Sequence, residues 1–395
     1  MARPFDPIRL LKEISNDLLR ELFEREGARL KVPWDRLSKR DIGPLLLLWE
    51  TMPTDQRWKI HVILQEVHGL AYEGGLRALA EQLEWLRPEL TPECSRGEGW
   101  FDKVLWTYMH APDAFEEASI FARADTLTKS RYWNRWNGLP PRPIKVTEEQ
   151  TQALQDELRK YYWPKELRGR HCRVHHYPRC NGVDYFFAYL DDWPDRLLTF
   201  DEDGQMEPRS ERYAFTNVFA FDPENGCIDL VAKGGRKVQQ RLRQAFCRSV
   251  LGTDVEEDDP LLPAYELDHL LDPHLVLPTD RRDRIAAVRI SRIRIAPKHV
   301  VNAVRYEEIG FSSSATLTIV QTELRERLAD QGVRPEMLTV KQVAFQLEFM
   351  SDGRSRPRTM TFNVSSPNSC DLKSKSDELR EIGERCLRMW GICCD

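Results

Sequence analysis

The feature that most constrains this fold is a change in the spacing of apolar residues across a proline-rich joint, Gly138-Leu139-Pro140-Pro141-Arg142-Pro143. Before the joint, apolar positions recur every three to four residues, the period of an amphipathic helix; after it, they recur every second residue, the period of a half-buried strand. Proline restricts its own φ and the residue before it, so no helix runs through such a joint.

On the helical side, Ile8, Leu11, Ile14, Leu18, Leu19 and Leu22 predict one helix over 7–26, with Gly27 where a C-terminal cap belongs. Ile60, Ile63, Leu64, Val67, Leu70 and Ala71 predict another over 54–72, opening after Pro53. Further helices are expected over 75–87, 99–110 and 113–127, making 1–137 an all-helical domain.

Beyond the joint, one more helix is expected over 148–161. Tyr213, Phe215, Phe219 and Phe221 then alternate, Asn225-Gly226 supplies a tight turn, and Ile228 to Lys233 returns as a hairpin. Residues 172–177 and 183–190 form a second expected pair about Cys180-Asn181-Gly182. The acidic stretch Asp254-Val255-Glu256-Glu257-Asp258-Asp259-Pro260 reads as a solvated linker. After it, Val343, Phe345, Leu347 and Phe349 alternate, with Met360, Phe362 and Val364 as their partner across Asp352-Gly353. A last helix over 376–390 buries Leu379, Ile382, Cys386 and Met389. The expected class is α+β: the helical domain, then two mixed segments with antiparallel hairpins, 148–252 and 262–395.

A chain of 395 residues exceeds one hydrophobic core, in line with several domains. Its nine cysteines are odd in number and scattered, which suits free thiols in a reducing compartment. The longest apolar stretch, Leu45 to Trp49, is about a quarter of a bilayer span, and no basic leader precedes it. A cytoplasmic protein without membrane contact is expected. A net charge of −5 excludes a histone-like excess, so any nucleic-acid contact must be regional. Arginine supplies 43 of the 58 basic residues. Its fork suits phosphate, although a GC-rich genome produces the same bias.

Familiar catalytic and cofactor motifs are missing: there is no GxSxG, GxGxxG or GxxxxGK[ST] string. The run from His171 through Cys172, His175 and His176 to Cys180 gathers metal-competent side chains without a CxxC or HExxH pattern. On a strand, Cys172 and His176 would stand roughly 13 Å apart, too far for one ion. Cys386 and the adjacent Cys393 and Cys394 lack the Cys-x-x-Cys geometry of a redox site. No metal and no cofactor are expected.

Two basic clusters point to phosphate chemistry. Lys233-Gly234-Gly235-Arg236-Lys237 joins a strand to a helix over 236–250, which would bury Val238, Leu242, Phe246 and Val250. Glycine permits close backbone approach, and a helix start offers N–H donors with partial positive charge. In 281–298, Arg289, Arg292 and Arg294 alternate with apolar residues whose parity changes near Ser291, as a β-bulge would produce. An ordinary turn and a solvated strand explain the same residues. Tyr132-Trp133-Asn134-Arg135-Trp136 could stack bases or staple one domain to the next.

Three functions follow from these residues. The first is a non-catalytic component of a bacterial-type multi-protein assembly that binds nucleic acid or a phosphate-bearing ligand through Lys233, Gly234, Gly235, Arg236, Lys237, Arg289, Arg292 and Arg294. Host defence is the guessed setting. The second is a metal-dependent nuclease or other phosphodiester enzyme using Asp222, Asp229 and Lys233. The third is a scaffold whose helical N-terminal domain docks a protein partner.

Overall fold

The computed structural model describes residues 5–28, 32, 34–38, 42–95, 97, 99–128, 133–201, 204–255, 264–272, 274–298, 307–311, 317–330, 334–351 and 358–393. The protein is α+β, with N-terminal helices followed by two antiparallel sheets. It falls into two compact units, Met1–Thr126 and Leu127–Asp395.

The first unit is helical: α1 (Pro7–Glu13), α2 (Asn16–Arg25), α3 (Gly43–Thr51), α4 (Thr54–Leu70), α5 (Glu73–Leu86), α6 (Thr91–Ser95), α7 (Trp100–His110) and α8 (Pro112–Thr128). The single helix expected over 7–26 is broken in two. Ile14 is extended, and the Ser15 N–H donates to the buried Asp102 carboxylate of α7 at 2.8 Å. That tertiary bond replaces a helical one, and Leu10, Leu11, Ile14, Leu19 and Leu22 all remain buried. Gly27 follows α2 with φ +79°. In α4, Ile60, Ile63, Leu64, Val67 and Leu70 are buried on the face that periodicity predicted.

The second unit opens with β1 (Trp133–Trp136) and α9 (Glu148–Glu166), whose start carries a capping box between Thr147 and Gln150. Then come β2 (Cys172–Pro178), β3 (Asp184–Phe200), β4 (Met206–Asp222), β5 (Cys227–Val231) and α10 (Arg236–Phe246). The strands form one antiparallel sheet in the order β1-β5-β4-β3-β2. A π turn, Cys247–Leu251, extends α10 to Gly252, which is left-handed at φ +61°.

One face of this sheet supplies the core. Phe186, Phe219, Phe221 and Leu230 are buried there with Leu154, Leu158 and Tyr162 of α9 and Leu242 and Phe246 of α10. Burial drives the Tyr162 phenol well above its ordinary pKa, and Asn217 donates to its oxygen at 3.0 Å. The proline-rich joint lies on the same core. Leu139 is buried, its N–H donates to the Gly226 carbonyl at 2.9 Å, and Ile144 and Val146 pack alongside. Gly226 adopts φ +59°, and a β-carbon there would stand 2.1 Å from the Leu139 carbonyl oxygen. Only glycine fits that turn.

The second sheet uses β6 (Ile285–Pro297), β7 (Glu307–Gly310), β8 (Leu338–Phe349), β9 (Thr359–Ser365) and β10 (Ser369–Cys370), in the order β10-β9-β8-β6-β7. Helix α11 (Leu317–Asp330) precedes β8, and α12 (Asp377–Met389) follows β10. Val343, Phe345 and Leu347 stand opposite Val364, Phe362 and Met360, the pairing that alternation predicted. The α12 helix buries Ile382, Cys386 and Leu387. Met389, expected inside, is exposed, because Trp390 fills the space against Phe345 at 4.8 Å between ring centroids.

The first sheet extends well past its own core. Beyond Leu190 on β3 and before Val218 on β4, the two strands pair, among the described residues, only with each other. They form a ribbon arm roughly 30 Å long at about 3.4 Å per residue. Arg168 braces its root: the guanidinium lies 4.4 Å from the Trp193 ring and 4.2 Å from the Phe215 ring, and it bonds Asp192 at 3.0 Å and Glu166 at 2.6 Å. The Trp193 indole N–H donates to the Glu166 carbonyl at 2.9 Å.

Candidate functional site

The predicted anion-binding turn sits between β5 and α10, with Lys233 and Lys237 exposed on either side; the Arg236 side chain and residues 256–263 lie outside the description, as do Tyr132, Asp352, Gly353 and Cys394. Of its two glycines, Gly234 is constrained by the protein itself. Gly234 adopts φ +136°, and a β-carbon there would meet the Val238 side chain at 2.6 Å. Gly235 is extended, caps α10 and faces open space. Its carbonyl accepts the Val238 and Gln239 N–H groups at 3.0 and 3.2 Å. Gly234→Ala is therefore expected to destabilise the protein by about 2 kcal/mol, through positive φ and overpacking together. Gly235→Ala should cost less than about 1 kcal/mol, since its conformation suits any residue. Urea unfolding midpoints of the two variants distinguish these effects.

The arginine row lies on β6. The β6–β8 register shifts between Ile290 and Arg292, at Ser291, so Ile290, Ile293 and Ile295 all point inward. Arg289, Arg292 and Arg294 consequently share the opposite face. Each has a local partner: Arg289 bonds Glu348 at 3.1 Å, Arg294 bonds Glu308 at 2.5 Å, and Arg292 reaches Asn363 at 3.1 Å and Glu308 at 3.6 Å. The hydrogen bond from Arg294 holds the Glu308 carboxyl below its ordinary pKa. Two carboxylates thus offset much of the positive charge that the sequence displays there. The glycine turn and the arginine row belong to different sheets.

Asp222 and Asp229, the alternative catalytic pair, have structural partners. Asp222 accepts the Glu224 and Asn225 N–H groups at 3.0 and 3.2 Å and the Asn225 side-chain amide at 2.8 Å, an Asx-type arrangement that shapes the turn. Asp229 stands opposite Arg135 in the β1–β5 register and accepts from its Nε at 2.8 Å and its Nη2 at 3.0 Å. The negative charge of Asp229 raises the Arg135 pKa well above its ordinary value. Lys233 lies two residues past the end of β5 and is exposed. Trp133 and Trp136, read from sequence as a staple or a stacking surface, are buried in β1.

The His/Cys run is dispersed by strand alternation. His176 Nε2 bonds Asp184 at 2.6 Å, His171 stands 3.5 Å from Asp191, Cys172 enters the core and Cys180 is exposed. Among the described residues, no group of three or more His, Cys, Asp or Glu side chains is arranged to hold a metal ion. A cavity of about 350 Å³ lies where the two sheets meet, lined by Trp133, Arg135, Cys227, Tyr265, Cys370 and Cys393 among others. Burial pushes the Cys370 thiol up to about 12 and the Tyr265 phenol well above its usual range. Both groups stay protonated and unreactive at neutral pH. The described cysteines are free thiols.

Sequence reasoning missed the arm. Leu198, Phe200 and Met206 are 68%, 74% and 62% exposed near its tip. Phe200 stands opposite Met206 and Leu198 opposite Pro208, so all four lie on one face of the ribbon. The segment from Met206 to Arg212 is polar and contains a proline, which hid the strand; Leu197, Leu198 and Phe200 before Gly204 were the signal available.

An α+β protein with a projecting two-stranded arm is what fold and surface define. No family model matches the chain, and no curated protein resembles it in sequence. Among the described residues, no helix is long and apolar enough to cross a membrane.

Proposed function

We propose that this chain is a non-catalytic docking component of a larger assembly, and that the tip of the β3–β4 arm is the surface that engages a protein partner. The observation that carries this reading is the exposure of Leu198, Phe200 and Met206 on one face of a ribbon that, among the described residues, pairs with no other strand. Large apolar side chains cluster in water at a cost that monomeric proteins otherwise avoid. The ribbon edges are poor templates for strand addition: Pro194 and Pro208 each lack an N–H, and charged side chains flank them. Recognition therefore uses the face.

Charge selects the kind of partner. Six carboxylates stand against two arginines between Pro194 and Glu211. A second copy would bring like charges together, and three side chains expose only a few hundred Å², against roughly 1,200–2,000 Å² in a stable interface. A partner with an apolar cleft and a basic rim satisfies both conditions, because it surrounds the tip. Exposed Trp58, Trp85 and Trp100 of the helical unit add surface where a docking role was expected from sequence.

Zero-length carbodiimide cross-linking in the source cells tests this reading. Wild-type chain should yield a stoichiometric adduct joining Asp201 or Glu207 to a partner lysine, and Phe200→Asp should weaken that association at least thirtyfold, the size of a hot-spot loss of about 2 kcal/mol. Cross-links confined to a second copy, or a partner retained equally by Phe200→Asp, would overturn it.

A second reading, binding of nucleic acid or a phosphate-bearing ligand, keeps one supporting observation at its predicted site. Gly235 opens the start of an 11-residue helix to solvent, with Lys233 and Lys237 exposed beside it.

A further inference from the structure

We infer that the cavity where the two sheets meet binds a small uncharged carbonyl compound of the amide or lactam type. Strand alternation makes its first wall. Trp136, Ile228 and Leu230 enter the core shared with α9 and α10, so their neighbours Trp133, Arg135, Cys227 and Asp229 project from the opposite face of the first sheet. Backbone bonds fix the second wall. The Arg135 N–H donates to the Asn368 carbonyl at 3.1 Å, the Tyr265 N–H to the Pro367 carbonyl at 2.9 Å and the Glu266 N–H to the Ile392 carbonyl at 2.9 Å, and Tyr265 pairs with Cys393. Tyr265, Cys370 and Leu387 thereby enclose with Arg135 about 350 Å³. Small-molecule sites begin at about 300 Å³.

Two donors in this chamber lack an acceptor. Arg135 gives its Nε and Nη2 to Asp229, which leaves Nη1 without a hydrogen bond among the described residues. Tyr265 is only 8% exposed, and its hydroxyl has no hydrogen-bond partner among the described residues. The phenol lies within electrostatic range of Arg135 and Asp229 as well as of Cys370 and Cys393, so it reaches from one wall toward the other. A guanidinium only donates, and a protonated phenol donates readily. Buried donors of this kind are ordinarily satisfied, and an oxygen placed between these two would satisfy both.

Charge decides between a carbonyl and a carboxylate. Asp229 already neutralises Arg135, while Glu384 and Arg388 on one face of α12 carry opposite charges. Asp222 adds a negative charge to the lining. A carboxylate buried here would find no spare counter-charge. An uncharged carbonyl accepts from both donors without that cost. Trp133, Leu372 and Leu387 supply apolar area for the rest of the molecule.

This site is separate from the arm tip and from the Gly235 helix start, and its test is separate too. Calorimetric titration of the full chain with benzamide, uracil, benzoate and toluene is expected to give saturable binding of benzamide and uracil. Benzoate, which brings a charge, and toluene, which has no acceptor, should each bind more weakly. Tyr265→Phe keeps the ring and removes the hydroxyl, so it should weaken benzamide about three- to tenfold, the value of one hydrogen bond. Cys393→Phe adds bulk to the wall and should abolish binding. Phe200→Asp should leave it unchanged, and circular dichroism checks that each variant is folded. No saturable binding of either amide at millimolar concentration, benzoate or toluene bound as tightly as benzamide, or benzamide affinity unaffected by Tyr265→Phe would each overturn the assignment.

Discussion

Phe246→Ala is expected to lower the unfolding free energy by about 3–5 kcal/mol, the range for deleting a fully buried phenyl group. Phe246 is 0% exposed and lies at the centre of the first sheet's core. Its ring stacks on Phe219 at 5.2 Å and 13°, and meets Phe186 edge-on at 5.1 Å. Those neighbours sit on two paired strands and cannot all move inward, so the cavity would stay open. Phe246→Leu keeps most of the volume and should cost much less, within about 1.5 kcal/mol. Denaturant unfolding followed by tryptophan fluorescence and by circular dichroism measures both. A loss below about 1 kcal/mol for Phe246→Ala would show that this core is not the one that stabilises the sheet.

The second large effect is expected at Arg135 and Asp229. Removing one partner of a buried pair strands the other charge and costs about 3–5 kcal/mol when both are fully desolvated. Here the Asp229 side chain is 12% exposed and that of Arg135 37% exposed, so solvent screens part of the loss. Asp229→Ala should therefore cost about 2 kcal/mol, discounted for that screening. The double change Arg135→Leu with Asp229→Leu should recover most of the loss, because neither charge is then left without its partner. A double-mutant cycle by urea unfolding gives the coupling directly. Additive losses would mean that the bidentate geometry contributes nothing beyond two separate side chains.

Local pattern was informative where burial follows a simple period. The stripe from Ile60 to Leu70 produced a helix with that face inside, and the alternation of Val343, Phe345 and Leu347 produced a strand paired with the expected segment. The parity change around Ser291 announced a bulge, which the β6 register contains. Each of these signals is carried by neighbouring residues, and the core rewards the same periodicity that the chain displays.

Pattern was less informative about the candidate sites, because a site is made by partners distant in sequence. The arginines of β6 look like a phosphate surface until β7 and β8 bring Glu308 and Glu348 beside them. Asp229 looks like a ligand for a metal until Arg135, 94 positions away, closes on both of its oxygens.

The sequence by itself determined the class of the fold and the pairing of the β8 segment with the β9 segment, since apolar period acts over a few residues. Tertiary structure alone decided the break at Ile14, where the Asp102 carboxylate takes the Ser15 N–H. It alone decided that β3 and β4 continue as an arm beyond their core, because cross-strand pairing can propagate through polar residues once a sheet has set its register. It alone decided which charges are offset and which stay open, since electrostatic interactions depend on distances in space that no local spacing encodes.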